Sequence, residues 1–330
     1  MKKLYIHIGH PKCGSSTIQD FLVHNWKAIK AQKLGIVDHN MKIFGALSDK
    51  RPPVQYFAEI KRNLRDGTDI ARDLKALANH SALSRLDGLI LSAENLADTL
   101  LAPFFTAANE HFDIQVIYYI RRQDDWLLSA WKQWKLKQGI PLERMIEKHC
   151  STEQGSYKRV IQAWTNVVPL DKIYVNMLNR SALYKSDLLL DFCRQTDLDI
   201  EALEITKNSN TSFNFDLLNT LSKIPFVFDS AHDNHLFNIL EQEFGEELVG
   251  KGENPLTYKQ RRDIMAAHKT ENTWLAEKIF PDSPFKRWIA VRKNRPVTET
   301  NELKGITQLA GINLKLLMDI QRRSKNKTTL

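Results

Sequence analysis

The sequence predicts an α/β protein, with a central, mainly parallel sheet between layers of helices and a helical extension at the C-terminus. Two observations carry that expectation. Short apolar, β-rich runs at 4–8, 35–37, 88–92, 115–120 and 172–177 alternate with stretches of helical periodicity, the pattern of crossover-connected parallel strands. The short apolar run Gly88-Leu89-Ile90-Leu91-Ser92 is also consistent with a strand buried on both faces.

The first element shapes the rest. Leu4-Tyr5-Ile6-His7-Ile8 breaks at Gly9-His10-Pro11, and a helix pattern resumes through Ile18, Phe21 and Leu22. Between them stands Lys12-Cys13-Gly14-Ser15-Ser16-Thr17, which sets a lysine, a glycine and hydroxyl or thiol side chains at the first turn of a helix. Such a turn holds phosphate: its opening N–H groups have no helical partner, the dipole favours negative charge, Gly14 permits close approach and Lys12 brings a mobile cation. The fold is therefore P-loop-like. It is not a Walker A loop, because Lys12 precedes Gly14 instead of following the second glycine of that motif.

Helix 15–32 ends at Lys33-Leu34-Gly35, and Gly35-Ile36-Val37 starts a short second strand. Residues 48–70, with Pro52-Pro53 and Gly67, read as an irregular polar segment suited to a mobile acceptor-side loop. Helix 69–85 leads into the strand 88–92, which ends in Ser92-Ala93-Glu94-Asn95. Open α/β sheets place ligands at the carboxyl ends of their strands, so Glu94 should stand near Lys12. It reads equally as a carboxylate at a helix start, ahead of Leu96, Leu100 and Leu101.

The strand 115–120 is followed by Arg121-Arg122-Gln123-Asp124-Asp125-Trp126-Leu127-Leu128-Ser129, opening a long helix to about Gln138. An arginine ending a strand and a hydroxyl about two turns into the next helix can hold one phosphate together. Trp126, Trp131 and Trp134 read as packing residues along that helix. Helices are expected at 157–164 and 188–193, on either side of the last strand in sequence, and residues 205–260, with the polar loop 208–211 and breaks at Pro225 and Gly250, read as a helical insertion on the acceptor side.

Two of these motifs carry a resemblance. Pro11-Lys12-Cys13-Gly14-Ser15-Ser16-Thr17 after the first strand resembles the 5′-phosphosulfate loop of sulfotransferases that use 3′-phosphoadenosine-5′-phosphosulfate (PAPS). Arg121 and Ser129 are similar to the family's 3′-phosphate pair, in a frame where Gln123 replaces the usual proline and Asp125 keeps the acidic position. The run from Asn272 to Pro281 resembles the closing helix of bacterial sulfotransferases acting on sugars and polysaccharides. The likeness spans about residues 4–285.

The resemblance implies PAPS as sulfuryl donor and 3′,5′-adenosine bisphosphate (PAP) as product, with no metal required and a carbohydrate or glycolipid as the acceptor. It implies Pro11, Lys12, Cys13, Gly14, Ser15, Ser16, Thr17, Arg121 and Ser129 as the nucleotide site, with Lys12 and Glu94 catalytic. The competing readings are an ATP-dependent P-loop kinase or nucleotide-binding module, and a non-catalytic scaffold at a membrane surface.

Composition bounds the rest. A chain of 330 residues with 42% hydrophobic and 26% charged side chains suits a globular protein, expected as one domain over 1–290 with an extension over 291–330. No apolar run approaches the roughly 20 residues of a membrane span, and the first strand leaves no room for a signal peptide, so a cytoplasmic protein is expected. Cys13, Cys150 and Cys193 lack CxxC spacing, and no ligand set completes around His232 and His235, so neither disulfides nor a metal centre are expected.

From Lys286 onward eleven Lys and Arg face Glu299, Glu302 and Asp319, which accounts for the whole net charge of +8. That placement argues against a nucleic-acid-binding protein and for an anionic partner of the tail, at the inner membrane surface or elsewhere. Leu303, Ile306, Ala310, Leu317 and Ile320 mark an apolar helix face ahead of the basic run 321–327. The expected arrangement packs that face on the body of the protein.

Overall fold

The computed structural model describes residues 1–45, 51–62, 68–151, 156–205, 213–248, 253, 255–291 and 301–327. Contacts group the chain into two compact units. The first comprises residues 1–122, 155–208 and 269–289, and the second residues 123–154, 209–268 and 290–330.

The first unit is built on five parallel strands: β1 Lys2–Ile8, β2 Leu34–Ile36, β3 Gly88–Ala93, β4 Phe112–Ile120 and β5 Ile173–Met177. Their order is β2-β3-β1-β4-β5, with β1 central. Register brings Ile8 beside Ala93 on one side and Tyr118 on the other, so the strands that precede the loop, Glu94 and Arg121 end close to one another. Because the chain leaves β1 toward β2 and leaves β4 toward β5, the gap between β1 and β4 is the place where connections part and a ligand fits. Every residue of β3 is buried, as a strand with helices on both faces requires.

The expected helix 15–32 divides into Ser15–His24 and Trp26–Ala31. Asn25 causes the break: its side-chain amide donates to the carbonyls of Phe21 (3.0 Å) and Glu204 (2.9 Å), and its side-chain oxygen accepts from the Glu204 N–H (2.8 Å). A buried asparagine bonding main chain in this way competes with the helix ladder. The expected helix 69–85 similarly becomes Thr68–Ala78 and a 3₁₀ stretch Ser81–Arg85, because the His80 side chain accepts from the Ala82 N–H and starts a new turn.

The segment 48–70 is not irregular throughout. Val54–Arg62 is a helix whose Phe57 is fully buried, its ring 5.9 Å from that of Phe105. One aromatic anchor among polar neighbours is too sparse a pattern to reveal a helix. Residues 48–50 and 63–67 of that segment lie outside the described residues.

The second unit is helical. The helix Gln123–Ala130 continues through one π turn, Trp131–Lys135, and a short 3₁₀ turn to Gln138, where Gly139 ends it at φ 68°. Trp131 is fully buried, in keeping with a packing role. Residues 205–260 contribute the helices Phe215–Leu221 and His235–Phe244 and the start of Tyr258–Ala267, with a 3₁₀ turn at Pro225–Val227. Residues 208–211 and Gly250 lie outside the described residues. Arg261, almost fully buried, pairs with Asp124 and Asp125, which gives Asp125 a structural role inside this unit.

The C-terminal helix, Glu302–Lys327, packs through a different face from the one expected. Gly305 and Ile312 turn inward against Phe215–Leu221, whereas Leu303, Ile306, Ala310 and Leu317 are exposed. The reason is backbone proximity: Asp216 receives the Asn301 N–H (2.7 Å) and pairs with Lys304 (3.1 Å), and a Cβ on Gly305 would lie 2.5 Å from the Asp216 carbonyl oxygen. A glycine counts as apolar-neutral in a periodicity pattern, so the close-packed face is hidden. Gly305→Ala is expected to lower stability by up to about 2 kcal/mol, because overpacking costs about 1–3 kcal/mol and helix propensity returns roughly 1 kcal/mol. Denaturant titration checks this; a variant as stable as the parent would show that the two helices separate without cost.

Candidate active site

Gly9 brings the loop after β1 against the end of β3. Its N–H donates to the Ala93 carbonyl (3.0 Å), and a Cβ there would lie 2.7 Å from both Glu94 Cα and Ser15 Oγ, so only glycine fits. The loop then closes on His10, whose carbonyl accepts from the Cys13 N–H (3.0 Å) and the Ser15 hydroxyl (3.3 Å). Lys12 and Gly14 both take left-handed conformations, at φ 65° and 86°. For Lys12 this costs roughly 1–2 kcal/mol, a strain typical of residues held for function. Gly14 precedes Ser15–His24 with no side chain to cap it, so the positive end of that helix keeps its full effect at the loop.

The two charged candidates meet there. Burial raises the Glu94 carboxyl above its ordinary value, and the Lys12 charge opposes the shift. Burial lowers the Lys12 ammonium, reinforced by Arg121 and opposed by Glu94. Each is therefore within electrostatic reach of the other. Glu94 opens a 3₁₀ turn, Glu94–Ala97, in which Leu96 and the nearby Leu101 are buried and Leu100 is exposed.

Arg121 locks the arrangement from β4. Its Nη1 donates to the Lys12 carbonyl (3.2 Å), and its own carbonyl accepts from the buried Tyr157 hydroxyl (2.7 Å). Tyr157 also packs edge-on against His10 (5.0 Å), and His10 Nδ1 shares a hydrogen bond with Tyr118 (3.0 Å). Burial pushes His10 down to about 4, which keeps the ring neutral near pH 7. Arg122 donates to the Trp288 carbonyl (3.1 Å), so neither arginine is a mere solvated strand end.

Pro11, Lys12, Gly14, Ser16 and Thr17 keep some exposure, whereas Cys13 and Ser15 are buried. Burial pushes the Cys13 thiol up to about 12, so this side chain stays a neutral packing group, and the Ser15 hydroxyl serves the loop itself. The first unit thus gathers the loop, Glu94 and Arg121. Ser129 belongs to the second unit, half-buried on Gln123–Ala130.

No protein-family model matches the chain, and no curated protein matches it.

Sequence reasoning missed the aromatic scaffold. His7 and His10 stand three positions apart, across the strand and its exit, and both are buried; His7 Nδ1 bonds Ser92 Oγ (2.8 Å), tying β1 to β3 just before Glu94. Tyr157 was legible only as a helix residue. The run 272–281 falls largely on the helix Lys269–Lys278, where Asn272, Leu275 and Ala276 are buried. Its Glu271 accepts from the Ser156 hydroxyl (2.9 Å) and the Lys158 N–H (3.0 Å), holding the start of the helix that carries Tyr157.

Proposed function

We propose that this protein is a PAPS-dependent sulfotransferase that moves a sulfuryl group to an acceptor hydroxyl or amine, on a carbohydrate or glycolipid. The observation that supports it most is the Arg121 guanidinium bound to the carbonyl of Lys12. One contact joins the two motifs that the sulfotransferase likeness rests on, across the gap between β1 and β4. The residues suit a phosphosulfate: an uncapped helix start, a strained lysine, a left-handed glycine and an arginine, with a half-buried carboxylate opposite.

In this reading Lys12 and the helix-start amides stabilise charge growing on the departing 5′-phosphate oxygen. Glu94 takes the proton of the acceptor as its oxygen or nitrogen attacks sulfur, and burial moves its carboxyl toward neutral pH for that task. Arg121 selects the 3′-phosphate, a role in which the family likeness also names Ser129. The transfer is one of positioning and charge stabilisation, as in phosphoryl transfer.

Calorimetric titration with PAPS, PAP, adenosine 5′-phosphosulfate and ATP with Mg²⁺ tests the reading. PAPS and PAP are expected to bind and ATP to bind weakly. Arg121→Ala should weaken PAP about ten- to hundredfold, the worth of one charged hydrogen-bond partner, and weaken adenosine 5′-phosphosulfate, which lacks the 3′-phosphate, clearly less, through the lost bond to the Lys12 carbonyl alone. Preference for ATP with Mg²⁺ would favour a kinase, and binding of no nucleotide would favour a scaffold.

A further inference from the structure

The C-terminal helix has two apolar faces. Gly305, Leu309, Ile312 and Leu316 form the inward one, and Lys315 fastens it further by donating to the Glu243 carbonyl (3.0 Å) and lying 4.4 Å from the centre of the Phe244 ring. Leu303, Ile306, Ala310, Leu314 and Leu317, with Met318 beside them, recur every three or four residues on the opposite side. The large side chains of that outer stripe are each more than half exposed, from 51% at Ile306 to 74% at Leu303. An exposed stripe running more than four turns is more than the scattered surface leucines of an ordinary globular protein.

We propose that this outer face lies on an anionic membrane surface. Charge decides among the occupants. Beyond the stripe the helix carries a single acidic residue, Asp319, and then 321–327, with four Lys and Arg and no Asp or Glu. At its other end Glu302 is already paired with Lys223, and Lys304 with Asp216. A second copy of the chain would bring an equally basic helix with little acidic complement, whereas anionic headgroups neutralise the basic run while acyl chains cover the leucines. Among the described residues no helix is long and apolar enough to cross a membrane, so the contact is one of lying on the surface.

The stripe is remote in sequence from the nucleotide motifs, so this inference stands whether or not the chain transfers sulfate. Flotation of the full chain with phosphatidylserine-containing and with pure phosphatidylcholine vesicles tests it. Binding is expected to the former only, to fall steeply with added salt, and to drop at least about tenfold in Leu314→Glu/Leu317→Glu at an unchanged melting temperature. Should that variant lose its melting transition, Arg322→Gln/Arg323→Gln decides alone, with weaker binding expected and unchanged binding overturning the proposal. No association with phosphatidylserine vesicles overturns it too. So does a dimer in light scattering that Leu314→Glu/Leu317→Glu dissolves, because the stripe would then belong to a second copy.

Discussion

If the chain is the sulfotransferase proposed above, Lys12→Ala is expected to reduce kcat for sulfuryl transfer by about 10²–10³-fold, the effect of deleting one preorganised charge from a developing oxyanion. Lys12 would bind the leaving phosphate more strongly as its charge grows, so kcat should fall with kcat/KM while PAPS affinity changes less. The fold should survive, because the contact that secures the loop uses the Lys12 carbonyl, which alanine retains. Lys12→Gly makes a useful companion: at φ 65° glycine relieves the backbone strain, so this variant should be as inactive as Lys12→Ala yet more stable. Transfer of radiolabelled sulfate, measured beside thermal melting, checks both. Turnover near that of the unmutated chain would remove Lys12 from the proposed chemistry.

Glu94→Gln should lower kcat by about 10²–10⁴-fold, the usual worth of a general base, with PAPS binding little altered. The pH profile sharpens the test. A base must be ionised, so activity should fall as pH drops through the Glu94 pKa, which burial sets above the ordinary carboxylate value against the pull of Lys12. That acid limb should vanish from the residual activity of the glutamine variant.

Stability separates the competing role. A helix-capping carboxylate would cost about 1 kcal/mol on removal. A carboxyl whose folded pKa is raised instead imposes a penalty above that pKa, which disappears as pH falls below the unfolded value. Glu94→Gln should therefore melt no lower than the parent at neutral pH, and higher if the penalty dominates. A fully active variant would end the catalytic assignment, and a less stable but active one would restore the cap.

The sheet was legible because buried parallel strands are written as short apolar runs, and all five expected strands appear in the structure within three residues of their expected starts and ends. The loop was legible because Lys12, Gly14 and the hydroxyls stand together in sequence. What supports the loop was not. Tyr157 and Glu271 reach it through contacts over more than 100 residues or through a neighbouring helix, and no local pattern marks either. The inward face of the C-terminal helix was misread for a related reason: backbone-to-backbone packing at Gly305 selects the smallest residue, and hydrophobic periodicity is blind to it. Asn25 likewise breaks a helix whose apolar spacing runs on unbroken, because its partner, Glu204, lies far along the chain.

The interleaving of the two units bears on how the chain comes to be made. The first unit opens the sequence, yet it is completed by Lys269–Ile289, which supplies Leu275 and Phe285, both fully buried in its core. A nascent chain that has emerged as far as His268 already holds every strand of the sheet but lacks Leu275 and Phe285, which belong to its core. Domain-by-domain folding during synthesis is the habit of chains whose domains are contiguous. Here the core of the first unit stays incomplete until two of the helical unit's three segments have been synthesised, and no cut of the polypeptide yields either unit as one continuous fragment.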